Sequence, residues 1–328
     1  MRKLRHPPPT SKKSIGLALG AGSARGLAHI GVLQGLRELG IEPQIVCGCS
    51  MGALVGASYS VGHLDALEEW VKQLSTRDIL RYMGIRLLAQ GGVAEANQLI
   101  QYFSEKFGNP DIETLPIAFS AVATDFYAGR EIWLETGPIW DAVRASIAIP
   151  GLLTPVAWRD RWLVDGALVN PVPVSVCRAL GADLVIAVNP NSLMRRSVAQ
   201  VPPVETEDND EDDAELAETG GTGSKNLLGR LGNALRGATD PIRQRWSERP
   251  GPGTIEVMQG AINIMQDRIT RARLAGEPPD VMLLPHVSHI GLLEYHRAAD
   301  AIEAGRACVR HNADAIRHAL DLPIASAS

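Results

Sequence analysis

Ser50 stands in Gly48-Cys49-Ser50-Met51-Gly52, and a serine with glycine two residues away on either side has the spacing of a nucleophile lifted out of a sharp turn. Side chains at the glycine positions would collide with the strand entering the turn and the helix leaving it. The flanks suit that geometry: Ile45, Val46 and Cys47 form an apolar run before the turn, and Ala53, Leu54, Val55, Ala57 and Tyr59 suit a buried helix after it. Ser50 then falls at a helix N-terminus, where unpaired N–H groups favour developing negative charge. The same pattern also serves as plain chain punctuation, so the serine needs partners.

The first partner is an anion-binding loop. Residues 15–19 form an apolar run, Gly20-Ala21-Gly22-Ser23-Ala24-Arg25-Gly26 follows, and residues 27–39 read as a helix. Backbone N–H groups of such a loop can converge on an oxyanion because few Cβ atoms block the approach. Two other readings compete. A dinucleotide pyrophosphate would use GxGxxG, whose third glycine falls on Arg25, and would want an acidic residue where the second strand ends in Cys47 and the serine turn. The loop could also do no more than turn the chain.

The second partner is Asp165, at the end of the apolar run Trp162-Leu163-Val164 and followed by Gly166, Ala167 and Leu168. Asp-Gly is a common turn signal. Beside a glycine loop and a GxSxG turn, however, a carboxylate at the end of a third strand is where a base could meet the serine.

These three motifs, with Arg25-Gly26-Leu27-Ala28-His29-Ile30-Gly31-Val32-Leu33, the stretch Trp140-Asp141-Ala142-Val143-Arg144-Ala145-Ser146-Ile147-Ala148-Ile149-Pro150 and the continuation of the Asp165 motif through Val169-Asn170-Pro171-Val172-Pro173, resemble the patatin-like phospholipases. The likeness is to their bacterial single-domain branch, which is similar to the esterase domain of neuropathy target esterase. It implies a serine hydrolase of lipid acyl esters, of phospholipase A or lysophospholipase type, with Ser50 as nucleophile and Asp165 as base. Gly22 and Ser23 match the family's backbone oxyanion donors, with Gly20, Arg25 and Gly26 supporting the loop. Gly48 and Gly52 match its nucleophile turn, and Gly166 and Ala167 its Asp-Gly motif. One departure stands out: where the family pattern reads GGGxRG, this chain has Ala21-Gly22-Ser23-Ala24-Arg25-Gly26, with the extra glycine at Gly20.

Two alternatives remain at this level. A Ser-His-Asp carboxylesterase of α/β-hydrolase type would draw its imidazole from His286, His289 or His296, late in the chain as that order requires. A catalytically silent regulatory or adaptor protein could use the same fold. His29 reads as a packed helix residue, and Arg25 as a loop brace that bonds backbone carbonyls.

The elements that must position these groups are legible as apolar runs at 15–19, 45–47, 117–123, 162–164, 184–188 and 281–284, alternating with helical stretches. Several lack polar alternation, as strands buried on both faces do. The expectation is a three-layer α/β/α sandwich with a mostly parallel central sheet. Its organisation reads as a basic, proline-rich tail (1–14), a catalytic part (15–194), an insertion (195–253), the rest of the same domain (254–320) and a short tail (321–328). Within the insertion, residues 205–218 carry nine acidic groups and no Lys or Arg, and Gly220-Gly221-Thr222-Gly223-Ser224 follows, a composition of disorder. Leu227, Leu228, Leu231 and Leu235 then lie at helical spacing among Lys225, Arg230 and Arg236, a basic amphipathic helix that either touches an anionic membrane surface or packs on its own domain. Ile255, Met258, Ile262, Met265 and Ile269 form a stripe expected to face the core.

With 328 residues, 45% of them hydrophobic, the chain can bury a full core. Its net charge of −5 argues against nucleic acid as a main partner. The proline-rich start lacks an apolar stretch and no run reaches spanning length, which points to a cytoplasmic protein, peripheral membrane contact being the alternative for the basic helix. Cys47, Cys49, Cys177 and Cys308 lack the pattern of a disulfide framework or a zinc site, and no metal or cofactor is implied.

Overall fold

The computed structural model describes residues 13–74, 78, 96–191 and 254–322. The chain divides into two compact units, Met1–Arg195 with Ile262–Ser328, and Arg196–Ala261. Of the second unit only residues 254–261 are described, so the acidic run and the helix expected at 225–236 lie outside the described residues.

Eight strands form one sheet: β1 (Ile15–Leu19), β2 (Ile45–Cys49), β3 (Ala118–Asp125), β4 (Arg130–Leu134), β5 (Val156–Trp158), β6 (Arg161–Asp165), β7 (Leu184–Val188) and β8 (Val281–Leu283). β8, β7, β1, β2 and β3 run parallel in that spatial order. β4 and β6 both pair antiparallel with β3, and β5 with β6. The helices are α1 (Ala28–Glu38), α2 (Met51–Ser60), α3 (Leu64–Gln73), α4 (Asn97–Phe107), α5 (Ile139–Ser146), α6 (Val174–Ala179), α7 (Thr254–Gly276), α8 (Ala298–His311) and α9 (Ala313–Ala319).

The two faces of the sheet bury separate cores, as strand alternation requires. Leu17, Leu19, Val46, Ile186 and Val188 pack with residues of α1, α2, α5 and α8 on one face. Ala18, Ile45, Cys47, Val185 and Ala187 pack with Val174, Val176 and Cys177 of α6 on the other. The architecture is thus a mostly parallel α/β/α sandwich. Within the α7 stripe Ile262 and Ile269 are half-buried, but Met265 is exposed, against the expectation for it, and among the described side chains of that helix Thr270 is the buried one.

β3 carries a topological burden. β4 occupies one of its edges over Ala121–Asp125, so β2 and β6, which pair with residues 118–122 and 123–125, must divide the other. On that shared edge Cys49 lies opposite Val122 and Asp165 opposite Ala123. The end of β2 and the end of β6 therefore meet.

α1, which follows the glycine loop, is held by α8 at backbone contact. A Cβ on Gly31 would stand 1.8 Å from the Ile302 carbonyl oxygen, and one on Gly305 2.0 Å from that of Ala28. No rotamer relieves a clash with backbone, so Gly31→Ala is expected to lower the unfolding free energy by about 3 kcal/mol or to prevent folding. Urea denaturation followed by circular dichroism measures this, and an unchanged midpoint would contradict the close crossing.

Candidate active site

β2 ends at Cys49, α2 begins at Met51, and Ser50 makes the whole turn between them with φ 54° and ψ −121°. A positive φ is unfavourable for a residue with a Cβ and persists only where the surroundings enforce it. Here they do. A Cβ on Gly48 would stand 2.4 Å from Ala53 Cα, and one on Gly52 2.1 Å from the Leu19 carbonyl oxygen, so the turn is pressed against both its own helix and β1. The Ser50 carbonyl accepts from the Ala53 N–H at 2.9 Å, and the Ser50 N–H donates to Ser146 Oγ at 2.9 Å.

The register on β3 brings Asp165 to this turn, and the Ser50 hydroxyl donates to Asp165 Oδ2 at 2.6 Å. Oδ1 accepts from the Ala167 N–H at 2.8 Å, across the turn at Gly166, with the Cys49 sulfur 4.0 Å away. The serine is 4% exposed and the aspartate 3%. Burial dominates the aspartate's ionisation, raising its pKa to about 6 against the opposing effect of the Ser50 and Ala167 hydrogen bonds.

One short stretch braces both residues. Ser146 Oγ accepts from Ser50 N–H and donates to the Val122 carbonyl at 2.6 Å, while the Ala148 carbonyl accepts from the Asp165 N–H at 2.9 Å. Thr124 Oγ1 adds a bond to the Asp165 carbonyl at 2.8 Å. In the sequence, residues 140–150 carry a family resemblance but no residue pattern that assigns Ser146 or Ala148 this bracing role.

The glycine loop leaves β1 and enters a 3-10 turn at Ser23–Leu27. Its N–H groups are mostly engaged: Gly20 donates to Val188 O at 2.9 Å, Ala21 to Pro171 O at 2.8 Å, Ala24 to Leu292 O at 3.0 Å and Arg25 to Gly22 O at 3.0 Å. Among the described residues, those of Gly22 and Ser23 have no acceptor. Arg25 is a brace, with Nε donating to Ile290 O at 2.6 Å, and Gly26 packs on Met51 beside the Ser50 turn. His29 is fully buried with Nε2 2.7 Å from Gly20 O, and burial lowers its pKa to about 4, so it stays neutral and its Nε2–H holds that carbonyl.

Ser23 and Ser50 line one cavity of about 70 Å³, together with Tyr295 and apolar side chains that include Leu54, Trp70, Leu74, Leu99 and Leu153. Tyr295 had no place in the sequence reading; nothing in its local pattern marks a site residue 272 positions from Ser23. His286, His289 and His296 are exposed, and the Ser50 hydroxyl meets the carboxylate with no imidazole between them. Among the described residues no group of three His, Cys, Asp or Glu is placed to hold a metal ion, and no helix is long and apolar enough to cross a membrane.

Comparison with known proteins places this arrangement. The family model described as patatin-like phospholipase matches residues 17–178. An uncharacterized NTE family protein of Mycobacterium tuberculosis is 35% identical over 327 residues, covering 91% of each chain. Lysophospholipase NTE1 of Pyricularia oryzae is 28% identical over 302 residues, 89% of this chain and 18% of that one. The crystal structure of VipD from Legionella pneumophila matches 54% of this chain and 50% of its own at 15% identity and a TM-score of 0.33. The chain belongs to the NTE family of patatin-like phospholipases.

The geometry makes two predictions about stability. Ser146→Ala strands the buried Ser50 N–H and is expected to lower the unfolding free energy by about 1–3 kcal/mol, whereas Ser146→Thr keeps the oxygen. Asp165 ionises near 6 when folded and near 3.8 when free, so folding is penalised for its charge above pH 6 and not below 3.8. Asp165→Asn is therefore expected to be more stable than the parent at pH 8, on the order of 3 kcal/mol, with the difference fading as pH falls toward 4. Thermal melts across that pH range check it, and equal melting temperatures at pH 8 would contradict a raised pKa.

Proposed function

We propose that the protein hydrolyses lipid acyl esters, with Ser50 as nucleophile, Asp165 as general base and the Gly22 and Ser23 N–H groups as oxyanion donors. The observation that carries this reading is the 2.6 Å contact from the Ser50 hydroxyl to a buried carboxylate at the wall of an apolar cavity. Family membership supports it, and the name of the fungal relative points to a lysophospholipid as the substrate class.

In the first half-reaction Asp165 takes the Ser50 proton as Oγ attacks the ester carbonyl carbon. The carbonyl oxygen gains the charge, the loop N–H groups stabilise it, and collapse of the adduct expels the alcohol, to which Asp165 returns the proton. In the second, Asp165 takes a proton from the water that attacks the acyl-serine, and as the acyl–Oγ bond breaks it returns that proton to Ser50 Oγ, releasing the fatty acid. A carboxylate of ordinary pKa is a weak base at neutral pH. Burial raises the basicity of Asp165 without metal or imidazole, and each oxyanion donor contributes on the order of 2.7–4 kcal/mol to the transition state. The cavity's apolar wall takes the acyl chain.

Ser50→Ala and Asp165→Asn are each expected to reduce hydrolysis of a lysophospholipid by more than about a thousandfold while remaining folded. Because the ionised carboxylate is the working form, kcat/KM is expected to rise with pH and level off above an apparent pKa near 6. A fluorophosphonate probe should label the parent and not Ser50→Ala. Failure of the parent to label, with no hydrolysis across a panel of lipid esters, would favour the silent adaptor instead.

A further inference from the structure

The loop bearing Gly22 and Ser23 is tied down at three consecutive residues by one stretch from the far end of the chain. The Ala24 N–H donates to Leu292 O at 3.0 Å, Arg25 Nε to Ile290 O at 2.6 Å, and Ser23 Oγ shares a hydrogen bond of 2.8 Å with the Tyr295 hydroxyl. That strap is itself pinned. The Gly291 N–H donates to Glu294 Oε2 at 2.8 Å, and Arg297 reaches His289 O at 2.9 Å and Asp300 Oδ2 at 2.7 Å. It runs directly into α8, whose Gly305 lies against the first turn of α1. It also lies outside residues 17–178, the span the family model matches.

The three ties differ in what they fix. Those to Ala24 and Arg25 involve strap carbonyls and set where the loop lies. The tie to Ser23 joins two side chains that both line the cavity with Ser50. Ser23 has φ 49°, a conformation it would not hold unaided, and its N–H is one of the two without an acceptor among the described residues. A tether on that side chain decides how the adjoining peptide planes are turned. Burial raises the Tyr295 phenol above its ordinary range, which keeps it a neutral hydroxyl at working pH.

Resting on the Ser50–Asp165 reading, we propose that Tyr295 is a positioning residue of the oxyanion loop: by holding Ser23 Oγ, it turns the Gly22 and Ser23 N–H groups toward the cavity beside Ser50. Tyr295 acts through the backbone of the loop and takes no part in proton transfer. The strap thereby makes a segment near residue 295 a component of a site whose proposed nucleophile and base are Ser50 and Asp165.

The test is steady-state hydrolysis of a p-nitrophenyl ester by the full chain, comparing Tyr295→Phe, Ser23→Ala and the double variant with the parent and with Ser50→Ala. Misaimed donors act on the transition state, so each single variant is expected to lose about tenfold in kcat with KM and melting temperature unchanged. The double variant should be no worse than either single one, because both remove one contact. Ser23→Ala carries the test if Tyr295→Phe does not fold. Parental kcat in Tyr295→Phe, losses that multiply in the double variant, or an effect confined to KM would overturn the proposal. An active Ser50→Ala would sink the nucleophile assignment and this inference together. An inactive Ser50→Ala beside fully active Tyr295→Phe and Ser23→Ala would sink this inference alone.

Discussion

Asp165 reaches Ser50 because two strands share one edge of β3. β2 runs parallel to β3 and stops at Cys49; β6 comes back antiparallel along the same edge and stops at Asp165, opposite the next residue of β3 after the one facing Cys49. Two chain ends that abut in this way bring their terminal side chains together without any loop having to reach. The brace from Ser146 and Ala148 exploits the same junction. It crosses the gap where β2 and β6 fail to continue one another and satisfies the N–H that each end leaves unpaired.

The junction is buried, and burial sets the ionisation of the carboxylate within it. A carboxylate without water is destabilised as an anion, so its pKa climbs and its appetite for the serine proton grows. The two hydrogen bonds it accepts restrain that climb. His29 shows the same physics with the opposite sign. Burial keeps its imidazole neutral, and in that state Nε2–H can hold the Gly20 carbonyl without placing a positive charge beside the loop. Two ionisable side chains are thus set by desolvation, the Asp165 carboxyl shifted up and the His29 imidazole shifted down.

How much of this the sequence discloses depends on burial. β1 and β7 are legible to the residue, because strands covered on both faces read as unbroken apolar runs. β3 extends two residues past the run that signals it, into Thr124 and Asp125, polar groups that are buried only because β4 and β6 flank them. β4 and β5 escape detection altogether. Arg130-Glu131-Ile132-Trp133-Leu134 carries two charges, and Val156–Trp158 is three residues long and half exposed, so neither has the pattern of a core strand. At the site, Ser50 and Asp165 are legible because their turns demand glycine neighbours. Ser146 and Tyr295 are not, because a side chain that bonds a distant backbone or hydroxyl leaves no trace in its own neighbours.

The part of the chain after the insertion has a role that its plain helical pattern conceals. β8 extends the sheet beyond β7, the strap ties the glycine loop, and α8 crosses α1 at the Gly31 and Gly305 contacts. The strap and α8 act directly on one continuous piece, β1 with its loop and α1, and β8 supports it through β7. The loop begins at a strand fixed within the sheet and ends at a helix fixed by α8, so its two ends cannot drift apart. With its ends fixed, a seven-residue turn has few ways left to move, and the side-chain bond between Ser23 and Tyr295 acts on the freedom that remains, the rotation of the peptide planes around Ser23. That rotation decides whether the unpaired N–H groups face the cavity or the protein. Oxyanion donors are effective only when oriented before the charge appears, and on the proposed reading the constraint that orients them is the bond from Tyr295, 272 positions from Ser23 in sequence.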